Sequence, residues 1–247
     1  MSHSRDPLCQ RPSGHLLAFE SPAKSWTAEW GHFFRFGTPA YWANQTVSGG
    51  YTERCDGLAT DRGLVGETVF CLLGGYGVTA ESATVTYNAL LTFFDESESV
   101  DEAELFEFLR RPLLYPDGQL RRYRFPGQRA RRIAGALQQF RGGADEFDLP
   151  PLELRQRLLA FEGIGPKTAS WIVRNVTGSD EVAIIDIWVV RALRAVGIFP
   201  TEWEPARHYQ ALESTFLQFA TQAGVSAAAL DLCIWEEARQ LPASTYA

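Results

Sequence analysis

The chain has 247 residues, of which 45% are hydrophobic and 21% charged, the balance of an ordinary globular protein with enough apolar material for one large domain or two small ones sharing a core. A formal net charge of −7 excludes a protein that coats nucleic acid indiscriminately. No stretch approaches twenty apolar residues and the first residues lack the apolar core of a signal peptide, so the expectation is a protein of the bacterial cytosol or nucleoid with no membrane partner.

Residues 1–60 are irregular and rich in aromatics, with Trp26, Trp30, Phe33, Phe34, Phe36, Tyr41 and Trp42 crowded into one short segment. The spacing of Trp26, Trp30, Phe33 and Phe34 predicts a short amphipathic helix broken by Gly37 and Pro39, its rings serving core packing rather than base stacking. From Leu64 onward the pattern is helical. Helices are expected over 65–73, stopped by Gly74-Gly75, over 79–94 with Thr79 as cap, and over 101–109, ended by Pro112. Residues 127–140 alternate a basic and an apolar face at helical period. Further helices are expected over 152–161, 166–176, 186–196, 206–223 and 227–241, Pro166 standing at a first helical position where its missing N–H costs nothing. No strand pair is read, and 182–185 is a short extended lead-in to Asp186. The fold class is all-α. Three stretches are expected: an aromatic-rich segment, 1–63, packing with the C-terminal helices; a helical subdomain, 64–180; and a C-terminal part, 181–247, completing a second subdomain.

Charge is unevenly distributed. Residues 110–174 carry 13 Lys/Arg against 6 Asp/Glu, and six arginines fall within 121–132. A local phosphate-binding face on an otherwise repelling body has this signature, although arginines also simply solvate helix faces. Cys9, Cys55, Cys71 and Cys233 lie far apart, and His3, His15, His32 and His208 have no ligand spacing. No metal or cofactor is expected.

Only two lysines occur, against 21 arginines, and one of them, Lys167, follows the run Gly163-Ile164-Gly165-Pro166. Glycines in such a hairpin let the backbone pass close to a phosphate, which their N–H groups and the next helix's N-terminus hold without reading sequence. Lysine is the side chain that is both a cation and an amine nucleophile. Behind it comes Ala183-Ile184-Ile185-Asp186-Ile187-Trp188. Lys167 as a phosphate contact, with Asp186 capping its helix, is the other reading of the pair.

Leu158-Leu159-Ala160-Phe161, the glycine hairpin, Pro166-Lys167-Thr168-Ala169 and the Asp186 element together resemble the helix-hairpin-helix DNA glycosylase superfamily, in its lysine-bearing 8-oxoguanine glycosylase and endonuclease III-like branches. Tyr123 to Ile133 is similar to the segment upstream of the hairpin in those enzymes, and Phe70 to Tyr76 to the helix and loop entering their base pocket. The resemblance covers about residues 64–200, and 206–241 looks like the closing helices of the smaller members.

It implies two helical subdomains with a DNA-binding cleft between them, Lys167 as nucleophile and Asp186 as acidic partner. The chemistry needs both, since a fixed carboxylate stabilises positive charge on the sugar and a neutral amine can attack C1′. Gly163, Gly165, Thr168, Arg129, Arg132 and Arg174 become expected DNA contacts, and Gly74, Gly75, Tyr76 and Trp188 the expected base pocket. The implied partner is double-stranded DNA with a flipped base, met by a monomer, and the implied activity is excision of 8-oxoguanine with strand cleavage through a lysine Schiff base. Two departures leave base identity open. Trp188 stands where members often carry histidine, and Gly74-Gly75-Tyr76 replaces a Gln-rich loop. A hypermodified viral base in a defence role is one alternative target, and a non-catalytic DNA-binding module is an alternative of another class.

Overall fold

Helices dominate the computed structural model, which describes residues 11–56, 62–75, 77–95, 100–142 and 148–240. Tyr76, expected in the base pocket, therefore lies outside the described residues. Along the chain the elements are β1 (Leu16–Glu20), β2 (Ser25–Glu29), α1 (Pro39–Ser48), α2 (Tyr51–Asp56), α3 (Gly63–Leu73), α4 (Ala80–Asp95), α5 (Glu102–Leu109), β3 (Pro112–Leu114), β4 (Leu120–Arg122), α6 (Pro126–Gln139), α7 (Pro151–Leu158), α8 (Pro166–Thr177), α9 (Ile187–Ala195), α10 (Pro205–Ala223) and α11 (Ala227–Ala238). They form two compact units, one of Met1–Ala59 with Val173–Ala247 and one of Thr60–Ile172, so that the division falls inside α8.

The first unit corrects the reading of its aromatic segment. Residues 25–29 form not a helix but the second strand of an antiparallel hairpin, paired from Leu16↔Glu29 to Glu20↔Ser25. Helical and strand periods give Trp26 and Trp30 the same relation, and the intervening Thr27-Ala28-Glu29 settles the matter by alternation. Leu17, Phe19, Ala28 and Trp30 turn into the core. Pro39, read as a breaker, instead starts α1 at a position that needs no N–H, with Thr38 Oγ1 capping by accepting from Tyr41 N–H (3.1 Å).

Strand β1 has a free edge, and two glutamines of α10 close it. Gln222 accepts from Ala18 N–H (3.0 Å) and donates to Ala18 O (2.8 Å), while Gln218 does the same at Glu20 (3.0 and 2.9 Å). Side chains thus stand in for a third strand. Trp42, Phe199, Phe216 and Phe219 fill the core beneath, which α11 enters with apolar residues on nearly every face. Cys71, in the other unit, and Cys233 are buried and form no disulfide among the described residues, and burial pushes the Cys233 thiol up to about 12.

The second unit packs α3 against α4 and α6, and α5 against α6, around Leu72, Leu73, Leu90, Leu105, Leu109 and Ile133. Its helix starts follow the sequence signals. Thr79 Oγ1 accepts from Ser82 N–H (3.1 Å), and Asp101 and Glu104 form a reciprocal capping box (2.9 and 3.0 Å). A second unexpected hairpin pairs β3 with β4 from Pro112↔Arg122 to Leu114↔Leu120, turning through Asp117-Gly118 with Gly118 at φ +78°. Pro112 ends a helix, as read, and also opens this edge strand, where its missing donor is tolerated. Three-residue strands carry too little alternation to be visible in sequence.

Candidate active site

In the second unit, α7, the glycine hairpin and the start of α8 are built by steric demand. Gly163 has φ +85°, and a Cβ there would lie 2.3 Å from Cδ of Arg132. Ile164 is buried and anchors the tip, its N–H donating to Phe161 O (3.1 Å). Ala169 N–H donating to Gly165 O (2.9 Å) begins α8, with Pro166 in its first turn. Lys167 and Thr168 follow, both half-buried. Among the described residues no carboxylate or hydrogen-bond partner engages the Lys167 ammonium. Arg131 beside the hairpin is paired with Glu162.

The expected pocket loop lies in the same unit and is clamped from one short segment. Tyr123 OH donates to Leu73 O, Arg129 Nη2 to Gly74 O (2.9 Å) and Arg124 Nη1 to Gly77 O (3.0 Å). Gly75 sits at φ +101°, and Trp171 packs over Gly74 at 3.4 Å from a Cβ position. The loop's shape is therefore held by hydrogen bonds to its carbonyls. Burial pushes the Tyr123 phenol up to about 12, which keeps it a donor. Arg129 departs from its expected role. It is buried and takes a loop carbonyl, not a solvent-facing phosphate. Arg132 is half-buried, lies along Gly163, and has its guanidinium pKa lowered by burial and by neighbouring Arg129.

In the first unit, Asp186 is the N-cap of α9, one carboxylate oxygen accepting from Trp188 N–H and Val189 N–H at 2.9 Å each. The segment before it pairs with no strand among the described residues, and buried side chains satisfy it instead. Ala183 N–H donates to Glu213 (3.1 Å), Ile184 N–H to Asp231 (3.0 Å) and Ile185 N–H to Tyr209 OH (3.3 Å), whose own proton goes to Ala183 O (2.9 Å). Three successive amides are thus pinned from α10 and α11, fixing the backbone that presents Asp186. Trp188 is half-buried against the core, with the Arg191 guanidinium 5.0 Å from its ring centroid.

Arg174 also departs from expectation. At 8% exposure it forms an ion pair with Asp231, itself 3% exposed, and donates from Nε to Asn175 (3.1 Å). Asp231 therefore takes both a guanidinium on α8 and the amide of Ile184. Its burial raises its carboxyl to about 6 against the pull of Arg174 and the Ile184 N–H. Sequence reasoning missed Tyr123, Tyr209, Glu213 and Asp231. Glu213 and Asp231 stand on apolar helix faces, where a carboxylate needs a partner, and that was the available signal. Among the described residues no group of three His, Cys, Asp or Glu side chains gathers as a metal site would, and no single helix is long and apolar enough to cross a membrane.

Known proteins agree with this architecture. Residues 53–225 match the family model of 8-oxoguanine DNA glycosylase. The 8-oxoguanine DNA glycosylase/AP lyase of Saccharolobus islandicus is 30% identical over 192 residues, covering 74% of this chain and 85% of that protein. Its counterpart in Saccharolobus solfataricus is 29% identical over the same shares of each. The crystal structure of the 8-oxoguanine DNA glycosylase of Thermotoga maritima superposes with a TM-score of 0.63 at 23% identity, covering 82% of this chain and 96% of that one. That of Methanocaldococcus jannaschii, in complex with a 15mer DNA containing 8-oxoguanine, gives 0.59 at 22% identity, over 81% and 95%. At such identities these two show the fold alone, whereas the family match extends over most of the sequence. The chain belongs to the 8-oxoguanine DNA glycosylase family.

Proposed function

We propose that this protein is a DNA glycosylase that removes 8-oxoguanine from duplex DNA and cleaves the strand through a Schiff base on Lys167, acting as a monomer on an extruded base. The observation that carries the reading is the Lys167 ammonium, one residue into the helix that follows the glycine hairpin and without a partner among the described residues. As a neutral amine, Nζ attacks C1′ of the damaged nucleotide. The glycosidic bond breaks, and its electron pair leaves with the base, which takes up a proton. The amine's proton passes to the ring oxygen as the sugar opens to the iminium. Loss of a C2′ proton then expels the 3′ phosphate. Asp186 supplies the carboxylate that offsets positive charge building on the sugar, and its double cap fixes that carboxylate in place. Gly165 and Thr168 serve the DNA backbone at the hairpin, whose turn Gly163 shapes, while Gly74, Gly75 and Trp188 contribute to base recognition.

Borohydride trapping tests the nucleophile. The parent should form a covalent adduct with duplexes carrying 8-oxoguanine or an abasic site, and Lys167→Ala should form none. Asp186→Asn should slow base release by ~10² or more. Its unfolding temperature should barely move, because asparagine caps as well as aspartate. Absence of an adduct from the parent on both duplexes would overturn the proposal. Release from hypermodified viral DNA with none from 8-oxoguanine would reassign the substrate.

A further inference from the structure

The N-terminal aromatic residues fall into two sets. Trp30 and Trp42 are core residues at 1% and 0% exposure, but Phe34 is 81% exposed and Phe36 38%. The outer set is ordered by stacking. His32 and Phe33 lie 4.9 Å apart at 15°, His32 and Phe34 5.5 Å apart at 25°, and Phe33 and Phe34 4.0 Å apart. Phe33 packs partly against the core and anchors the stack, and Phe36 rests on Tyr41 (4.9 Å) and Trp42 (5.4 Å).

The loop that carries these rings is over-determined. Arg35 N–H donates to His32 O (2.9 Å), and the Thr38 hydroxyl lies 2.8 Å from His32 O and 3.0 Å from Arg35 O while it caps α1. Gly31 enters at φ +73°, where a Cβ would lie 2.7 Å from the Thr38 side chain. So a tightly specified turn holds a largely exposed phenyl ring in water, packed against two neighbouring rings. From Trp30 to Thr52 the sequence has Arg35 and no carboxylate, within a chain of net charge −7. This loop also lies outside the segment, 53–225, that matches the family.

We infer that the 32–36 loop is an aromatic platform on which an unpaired nucleobase of bound DNA stacks against Phe34, with Arg35 at the adjoining phosphate. Every nucleobase offers a π-face, so such a platform selects unstacked bases without reading sequence. The inference rests on the DNA-binding reading proposed above.

Binding of the full chain is measured on two duplexes of equal length, one fully paired and one with a single unpaired position, at several salt concentrations. Phe34→Ala should weaken the second complex roughly 10- to 100-fold and leave the first unchanged, with Phe34→Trp restoring the preference. The salt slope should stay at the parent's value, since no charge is removed. Placing 2-aminopurine at the unpaired position or opposite it identifies the stacked base as the one whose fluorescence Phe34→Ala fails to quench. Equal losses on both duplexes, no loss on either, or a parent that sediments as a dimer which Phe34→Ala dissociates would overturn the platform. A parent that binds and traps DNA while Phe34→Ala matches it sinks the platform alone. A parent that binds no DNA sinks the proposed function with it.

Discussion

At Gly163 the backbone needs a positive φ and an added Cβ would meet Arg132, whereas at Gly165 φ is not positive and nothing lies within 4 Å of the place a Cβ would take. The first glycine is required by the protein itself. The second leaves open space at the tip of the hairpin, which suits an incoming phosphate. Gly163→Ala should therefore destabilise the fold by about 1–3 kcal/mol, seen as a lowered Tm. Gly165→Ala should keep the Tm and lose DNA affinity instead. Thermal unfolding and anisotropy titrations on one duplex measure both effects. If the two variants behave alike in both measurements, the distinction between them is wrong.

Among elements, the extended segment before Asp186 is the one whose order depends most on distant side chains. Asp231 is central to it, and its titration gives a test. Burial raises its folded carboxyl above the ordinary value of 3.8 to about 6, with Arg174 and the Ile184 N–H opposing the shift and the charges of Asp186 and Asp180 adding to it. A proton held more tightly in the folded state contributes stability that is full below the unfolded pKa and is lost as pH rises through the folded one. The contribution of Asp231 therefore declines between about pH 4 and pH 6, by roughly 3 kcal/mol, and Asp231→Asn should remove that decline. Urea unfolding of parent and variant from pH 4 to 7.5 measures it, and parallel curves would refute it. Sequence made the helices legible because caps such as Asp101 and Thr79 and stops such as Gly74 act locally. Lys167 and Asp186, whose roles are proposed above, stand out in sequence because the hairpin glycines and the apolar run before Asp186 are contiguous. The glutamine cover of β1, the Tyr123–Arg129 clamp and the Asp231 link depend on partners between about 50 and 200 residues away, and no short window along the chain contains both ends. Arg129 and Arg174 were misplaced for the same reason, since their charge is visible in sequence and their burial is not.

Over the whole molecule, residues 110–174 carry a net +7 and the rest −14, and the structure shows which arginines in the basic stretch are available. Arg122 is exposed and its guanidinium has no hydrogen-bond or ion-pair partner among the described residues, unlike that of Arg129. If Arg122 neutralises one phosphate, Arg122→Ala should flatten the dependence of log affinity on log salt by about 0.9. Arg129→Ala should lower the Tm and leave that slope unchanged. Duplex titrations at stepped NaCl decide, and an unchanged slope for Arg122→Ala would make it a solvating residue. The closing of β1 by Gln218 and Gln222 has a consequence for synthesis. Strand β1 leaves the ribosome some 200 residues before the helix that satisfies its edge. The contiguous Thr60–Ile172 unit can close during translation. The N-terminal hairpin must meanwhile wait as an unguarded strand edge, so growing chains should depend on a holding chaperone until α10 emerges.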